Sequence, residues 1–261
     1  EAAIGQRITR AKKKIKDAGI SYEIPNAEQI HIRLPSVLKV IYLIFNESYS
    51  AYEGQSLTRH ELASEAIRLS LLMVKLIPNP EVFGLAALML FHDARRQSRS
   101  SATELYIPLE QQNRALWDQG QIAQANHFMQ QALKFKQRGP YQIQAAISAL
   151  HSKVKSWDAT DWPQIQLLYM SLLQLQPSPV VALNLSIAKA NSGQLKQAYE
   201  DVLALCEELK QYQPYHAARG DLESRLNLKQ QAIDSFSRAI SLSKNSIERD
   251  FLLKKKEHLY S

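Results

Sequence analysis

GDLESRLNLKQQAIDSFSRA, residues Gly220–Ala239, decides how this chain folds. Moved back 34 positions, it lies on SIAKANSGQLKQAYEDVLAL, residues Ser186–Leu205. Gly220 then falls on Ser186, Ala232 on Ala198, Phe236 on Val202 and Ala239 on Leu205. Between them Asn227 falls on Gly193, the two residues best suited to a tight turn. Each stretch reads as helix, turn, helix. Small residues at fixed places let paired helices approach closely. One such hairpin cannot bury its apolar face alone, but stacked neighbours can.

This spacing is the tetratricopeptide period. A weaker unit fits Gly120, Ala125, Met129 and Ala132. A pair with a longer turn lies between, near Tyr141–Val154 and Trp162–Leu173, ending at Pro177 and Pro179. Upstream, apolar helices are expected over Ser36–Tyr49, from Thr58 to Ile77 and over Glu81–Arg96. The third is apolar on most sides, which predicts a buried helix. The sequence therefore predicts an all-α chain: a helical bundle, then a right-handed superhelix of hairpins. A small β-hairpin is expected near 98–107, where Leu105, Tyr106 and Ile107 break the helical period. The expected domains are a basic helix at 1–20, a linker at 21–33, the bundle at 34–107 and the repeats at 108–261. A charged helix over Ser246–Tyr260 caps the array.

Composition narrows the function classes. With 261 residues, 45% hydrophobic, the chain can bury a sizeable core, which excludes a disordered tail. Only 8 glycines argue against Gly-rich nucleotide-binding folds. The net charge of +7 is concentrated at the ends, so it does not mark the main body as a nucleic-acid binder. A single cysteine, Cys206, excludes an internal disulfide and a Cys-based zinc site; it is expected as a small core residue of a repeat. A reducing, cytoplasmic setting fits, and no apolar run approaches a membrane span. Glu1 opens within a helical pattern, so the sequence is expected to continue upstream. No phosphate loop, dinucleotide fingerprint or nucleophile elbow occurs, and the histidines form no HxxxH pair. His92 and Asp93 are adjacent, so on a helix they point about 100° apart and do not make one site. No catalytic residue, metal or cofactor is expected.

The N-terminal run EAAIGQRITRAKKKIK, with Arg7, Arg10, Ala11 and Lys12 as an Arg-x-x-Arg-Ala-Lys ending, resembles the recognition helix closing region 4 of an extracytoplasmic-function sigma factor. The remainder is similar to the C-terminal extension of one group of these factors. The runs that carry the likeness are LPSVL from Leu34 with IYLIFNE from Ile41, EAIRL from Glu65, and LAALML from Leu85 with HDARR from His92. Further on come LWD from Leu116, GPYQIQAAI from Gly139, TDW from Thr160 and SPVVALN from Ser178. Ser48 departs from the glycine usual after Asn-Glu, and Arg99–Glu104 lacks an Asp-Gly turn. The resemblance implies a regulatory, non-catalytic extension of a protein that brings RNA polymerase core to promoter DNA through regions missing here. It implies that Ala3, Gln6 and Arg7 lie toward the groove and Arg10, Lys13 and Lys14 meet phosphates, in the full-length parent only.

A ligand or partner cleft is expected between bundle and repeats. Its residues are Asn46, Glu47, Asp93, Arg95, Arg96, Arg114, Trp117, Asp118, Tyr141, Gln142, Gln144 and His151. Arg95 and Arg96 are read as a forked carboxylate clamp, Trp117 and Tyr141 as a flat apolar wall. The occupant is a ligand, a peptide or the parent's own sigma domains. The competing reading is that the charged members pair with one another and join the subdomains. Two other functions are weighed: a free-standing tetratricopeptide adaptor that binds partner peptides, which has no need of the basic helix, and an enzyme using Glu47, Asp93 or His151, for which no catalytic constellation is visible.

Overall fold

A computed structural model describes residues 2–19, 25–50, 57–99, 106–244 and 246–260. All regular structure among them is helical. The chain divides into two compact units, Glu1–Lys39 and Val40–Ser261.

Helix α1 spans Ala2–Asp17 and is followed by Gly19 at φ +59°, the left-handed conformation usual just past a helix end. Helix α2 spans Ala27–Ser50. Its start corrects the expected linker at 21–33 and the expected onset at Ser36, since residues 27–33 are helical. Asn26 and Gln29 cap it reciprocally: Gln29 N donates to Asn26 Oδ1 at 2.8 Å, and Asn26 N to Gln29 Oε1 at 3.1 Å. Pro35 therefore lies inside the helix, where its ring removes one ladder bond without ending it. Leu34, Leu38, Ile41 and Phe45 carry the buried stripe through that point.

Helix α3 covers Leu57–Leu76 and α4 covers Pro80–Asp93. Asn79 caps α4, accepting from Glu81 N at 2.9 Å. From Leu85 to Phe91 every residue of α4 is buried, as an all-round apolar helix must be. Short 3₁₀ turns at Arg96–Ser98, Leu109–Gln111 and Arg114–Leu116 then carry the chain to α5, Gln119–Leu133. Most of the expected β-hairpin, including Leu105, lies outside the described residues. Its described flanks hold no strand, and Ile107 N donates to Arg99 O at 2.8 Å.

Eight further helices follow: α6 Pro140–Ser152, α7 Trp162–Leu175, α8 Pro179–Asn191, α9 Leu195–Ala204, α10 Cys206–Leu209, α11 Gln213–Arg225, α12 Lys229–Leu242 and α13 Ser246–Glu257. Helices α8 and α9 pack as one hairpin and α11 and α12 as the next. Helix α4 packs chiefly on α5 and α6. The expected boundary at 107/108 thus falls inside a helix pair. The last bundle helix is the partner of the first repeat helix, because α4 supplies the apolar face that α5 cannot cover alone.

The period is written into the turns. Gly193 sits at φ +89° and Asn227 at φ +60°. Gln194 N bonds Lys189 O at 3.0 Å, and Leu228 N bonds Glu223 O at 2.9 Å. Both are the six-to-one bond of a Schellman ending. Ala198, Val202, Ala232 and Ala239 are fully buried, and Ser186 and Phe236 nearly so. A Cβ on Gly220 would stand 3.0 Å from the Phe236 ring, which explains the small residue there. Leu205 departs from the pattern because α9 ends at Ala204. The break turns Cys206 outward, so this cysteine is exposed rather than in the core as expected.

Candidate functional site

The C-terminal end of α4 divides its side chains between two environments. His92 sets its ring edge-on to Phe45, with centroids 6.4 Å apart. Asp93 turns the other way. Its Oδ1 accepts from both Nε and Nη2 of Arg96, the former at 2.9 Å, and its Oδ2 accepts from Gln121 Nε2 at 3.0 Å. Arg96 is therefore an ion-pair partner of Asp93, not half of a forked clamp with Arg95.

Arg95 instead meets Trp117. Its guanidinium carbon lies 5.8 Å from the indole centroid, and that of Arg114 lies 5.2 Å from it. Two cations thus share one aromatic ring. Arg114 is buried and anchors to the end of α6, donating from Nη1 to His151 O at 2.6 Å and to Val154 O at 3.1 Å. Its Nη2, Trp117 Nε1 and His151 Nδ1 are buried and have no hydrogen-bond partner among the described residues. The His151 ring stacks on Trp157, with centroids 5.8 Å apart and planes 13° apart, and meets the edge of Trp162.

This environment is positive. Burial, then Arg95 and Arg114, hold the His151 imidazole down at about 3. Burial, then Arg95, Arg99 and His151, push His92 well below its ordinary value. Burial, then Arg95, lowers Arg114, whose guanidinium nonetheless stays charged near neutrality. Both imidazoles are neutral at pH 7, so neither adds to the charge.

The other expected cleft residues lie elsewhere. Tyr141 and Gln142 open α6, whose first amides are capped by Glu81. Tyr141 N donates to Glu81 Oε2 at 3.0 Å, and Gln142 N and Nε2 donate to Oε1 at 3.1 and 3.2 Å. Glu81 starts α4 and Asp93 ends it, so these two groups are separated by about 18 Å of helix. Burial, then Tyr42 and Glu81, push the Tyr141 phenol up to about 12. Gln144 bonds Pro140 O within its own helix, and Asp118 caps α5 by accepting from Gln121 N at 3.0 Å. Asn46 is half-buried and Glu47 exposed on α2. The expected cleft is thus two places: Arg95, Arg114, Trp117 and His151 gather at one end of α4, while Tyr141 and Gln142 serve the junction at the other. On α1, Gln6, Arg10, Lys13 and Lys14 are exposed; the side chains of Ala3 and Arg7 lie outside the described residues.

Three features escaped the sequence reading. Glu81 caps a helix far along the chain, which no local pattern signals. Glu223 is fully buried and accepts from Arg219 Nε at 2.8 Å, Tyr199 Oη at 3.1 Å and Ser235 Oγ at 2.6 Å, joining α9, α11 and α12. Arg219 and Glu223, four apart on α11, were the available clue. Finally, α13 meets the segment between α4 and α5. Phe251 packs edge-on to Tyr106 at 5.3 Å, and a cavity of about 780 Å³ opens beside them, lined also by Asp221, Phe236 and Lys254. Lys255 pairs with Asp221 at 2.8 Å.

Residues 33–133 match a family of unknown function (DUF6596). An uncharacterised protein of Rhizobium meliloti (strain 1021), R00370, is 42% identical over 260 residues, covering 99% of this chain. The chain spans 62% of that relative's length. No described helix is long and apolar enough to cross a membrane.

Proposed function

We propose that the chain is the regulatory, non-catalytic C-terminal part of an extracytoplasmic-function sigma factor, working in the cytoplasm. The observation that carries this reading is α1: a helix with Gln6, Arg10, Lys13 and Lys14 exposed, in a unit apart from the repeats. A solvated basic helix of this sequence has a use beside promoter phosphates and none in a peptide adaptor. The repeat array supports the regulatory half, because stacked hairpins offer surface for intramolecular or partner contacts. Of Glu47, Asp93 and His151, the residues weighed for an enzyme, Asp93 is held in an ion pair, His151 lies in an aromatic stack and Glu47 is exposed on α2. The Rhizobium meliloti relative is longer than this chain, and the reading requires such additional length for core binding.

The test is affinity purification of the complete gene product from its own cells. The reading expects RNA polymerase core to co-purify in near-stoichiometric amount, and to be lost on deletion of the sequence upstream of α1. A complete gene product that contains no region able to bind core, and brings none down, sinks the reading in favour of a peptide-binding adaptor.

A further inference from the structure

We infer that the cavity beside α13 is a binding site for a short zwitterion with apolar side chains, of dipeptide size. The site stands on its own geometry, whether or not the chain regulates transcription. About 780 Å³ open between α11, α12, α13 and the segment that holds Tyr106, a volume in the range of small-molecule sites. One side of the cavity is apolar. Phe236 is buried, Phe251 and Leu259 are half-buried, and Tyr106 stands edge-on to Phe251 with centroids 5.3 Å apart. Phe236 belongs to the apolar cluster that joins α12 to α13, and Leu259 packs against that cluster, so this wall is fixed by the fold.

The charged side holds two cations and two anions. Lys255 is engaged: its Nζ bonds Asp221 Oδ1 at 2.8 Å, lies 4.0 Å from Glu110 Oε1 and sits 5.2 Å from the Phe251 centroid. Asp250 and Lys254 line the same cavity, are exposed, and make no ion pair with each other or with any described residue. They stand four residues apart on one face of α13, about 6 Å apart along its axis. An exposed pair at this spacing attracts only weakly, so a ligand bearing the opposite charges competes with it readily. One open anion and one open cation ask for an ammonium and a carboxylate on the same molecule. A purely anionic ligand would meet Asp250 and a purely cationic one Lys254. Each extended residue spans about 3.3–3.6 Å, so the terminal charges of a dipeptide match one helical turn, and those of a free amino acid fall short. The apolar side chains then lie against Phe236, Phe251 and Tyr106.

The experiment is a ligand-observed NMR titration of the chain with leucyl-phenylalanine, its N-acetyl form, its C-terminal amide and free phenylalanine. The unmodified dipeptide should bind at least about threefold more tightly than either blocked form, the worth of one exposed charge contact. Asp250→Asn should remove the preference over the N-acetyl form and leave the preference over the amide. Lys254→Gln should do the reverse. Both positions are exposed, so neither substitution disturbs the core, and a circular dichroism spectrum equal to that of the wild type checks this. Free phenylalanine carries both charges on a shorter frame and should bind more weakly than the dipeptide. No binding of the dipeptide, equal binding of its free and blocked forms, or a preference that survives both substitutions overturns the proposal. Free phenylalanine that binds as tightly as the dipeptide overturns the assigned size.

Discussion

Glu223 and His151 hold the two groups whose chemistry is most committed to the fold. The Glu223 carboxylate is fully buried with three donors from three helices. Glu223→Ala strips those bonds and leaves Arg219 without its counter-charge, a loss of about 3 kcal/mol. Urea unfolding of the variant checks this; a change below 1 kcal/mol would show that water replaces the carboxylate at no cost. His151 sets the acid limit. Its folded value of about 3 lies below the ordinary 6.5, so the unfolded chain takes up the proton first as pH falls. The stability it contributes is fully present above pH 6.5 and is lost progressively down to about pH 3, at about 1.4 kcal/mol per unit. From pH 7 to pH 5 the chain should lose about 2 kcal/mol through this group, with His92 adding in the same direction. His151→Gln should flatten the curve over that range, and a wild-type stability that rises between pH 6.5 and pH 5 would contradict the assignment.

At the scale of elements, two glycines let helices touch. At Gly220 an added methyl gains up to about 1 kcal/mol of helix propensity but presses on the Phe236 ring, where overpacking costs about 1–3 kcal/mol. Crowding should win, and Gly220→Ala should melt a few degrees lower; a higher melting temperature would mean that the ring moves freely. Gly84 is harsher, since its Cβ would stand 2.7 Å from the Gln142 backbone nitrogen, which cannot swing away. Gly84→Ala should therefore cost more than Gly220→Ala. These elements also mark what the sequence made legible. The 34-residue offset between Gly193 and Asn227 is a local turn signal, and the matching Schellman bonds lie where it pointed. The buried character of α4 was equally plain from its composition. The onset of α2 was not, because Pro35 is also the residue that most often begins a helix, and the Asn26–Gln29 cap outweighed it. The α4–α5 pairing was hidden by the long segment between the two helices. Of the twelve expected cleft residues, Arg95, Arg114 and Trp117 lie together, but the expected pairing of Arg95 with Arg96 does not hold, because the two look identical in sequence. Only the turn of the chain after Asp93 gives one to the carboxylate and the other to the indole.

The chain comprises an N-terminal unit bearing an exposed basic helix and a second unit bearing the repeats. On the proposed reading α1 is a recognition helix without its supporting helix and has no fixed docking geometry, so the chain by itself should bind duplex DNA weakly, without sequence preference, and release it as salt rises. Fluorescence anisotropy with promoter and scrambled duplexes at physiological salt checks this, and nanomolar selective binding would contradict it. The proposed role is regulatory and belongs to the full-length protein. The most direct measurement is single-round transcription in vitro with RNA polymerase core. It compares the full-length factor with a version ending after α1. Removing residues 27–261 should change promoter-dependent initiation at least about tenfold, a difference of about 1.4 kcal/mol in the step controlled, while core binding persists. Identical transcription with and without the repeats would contradict it.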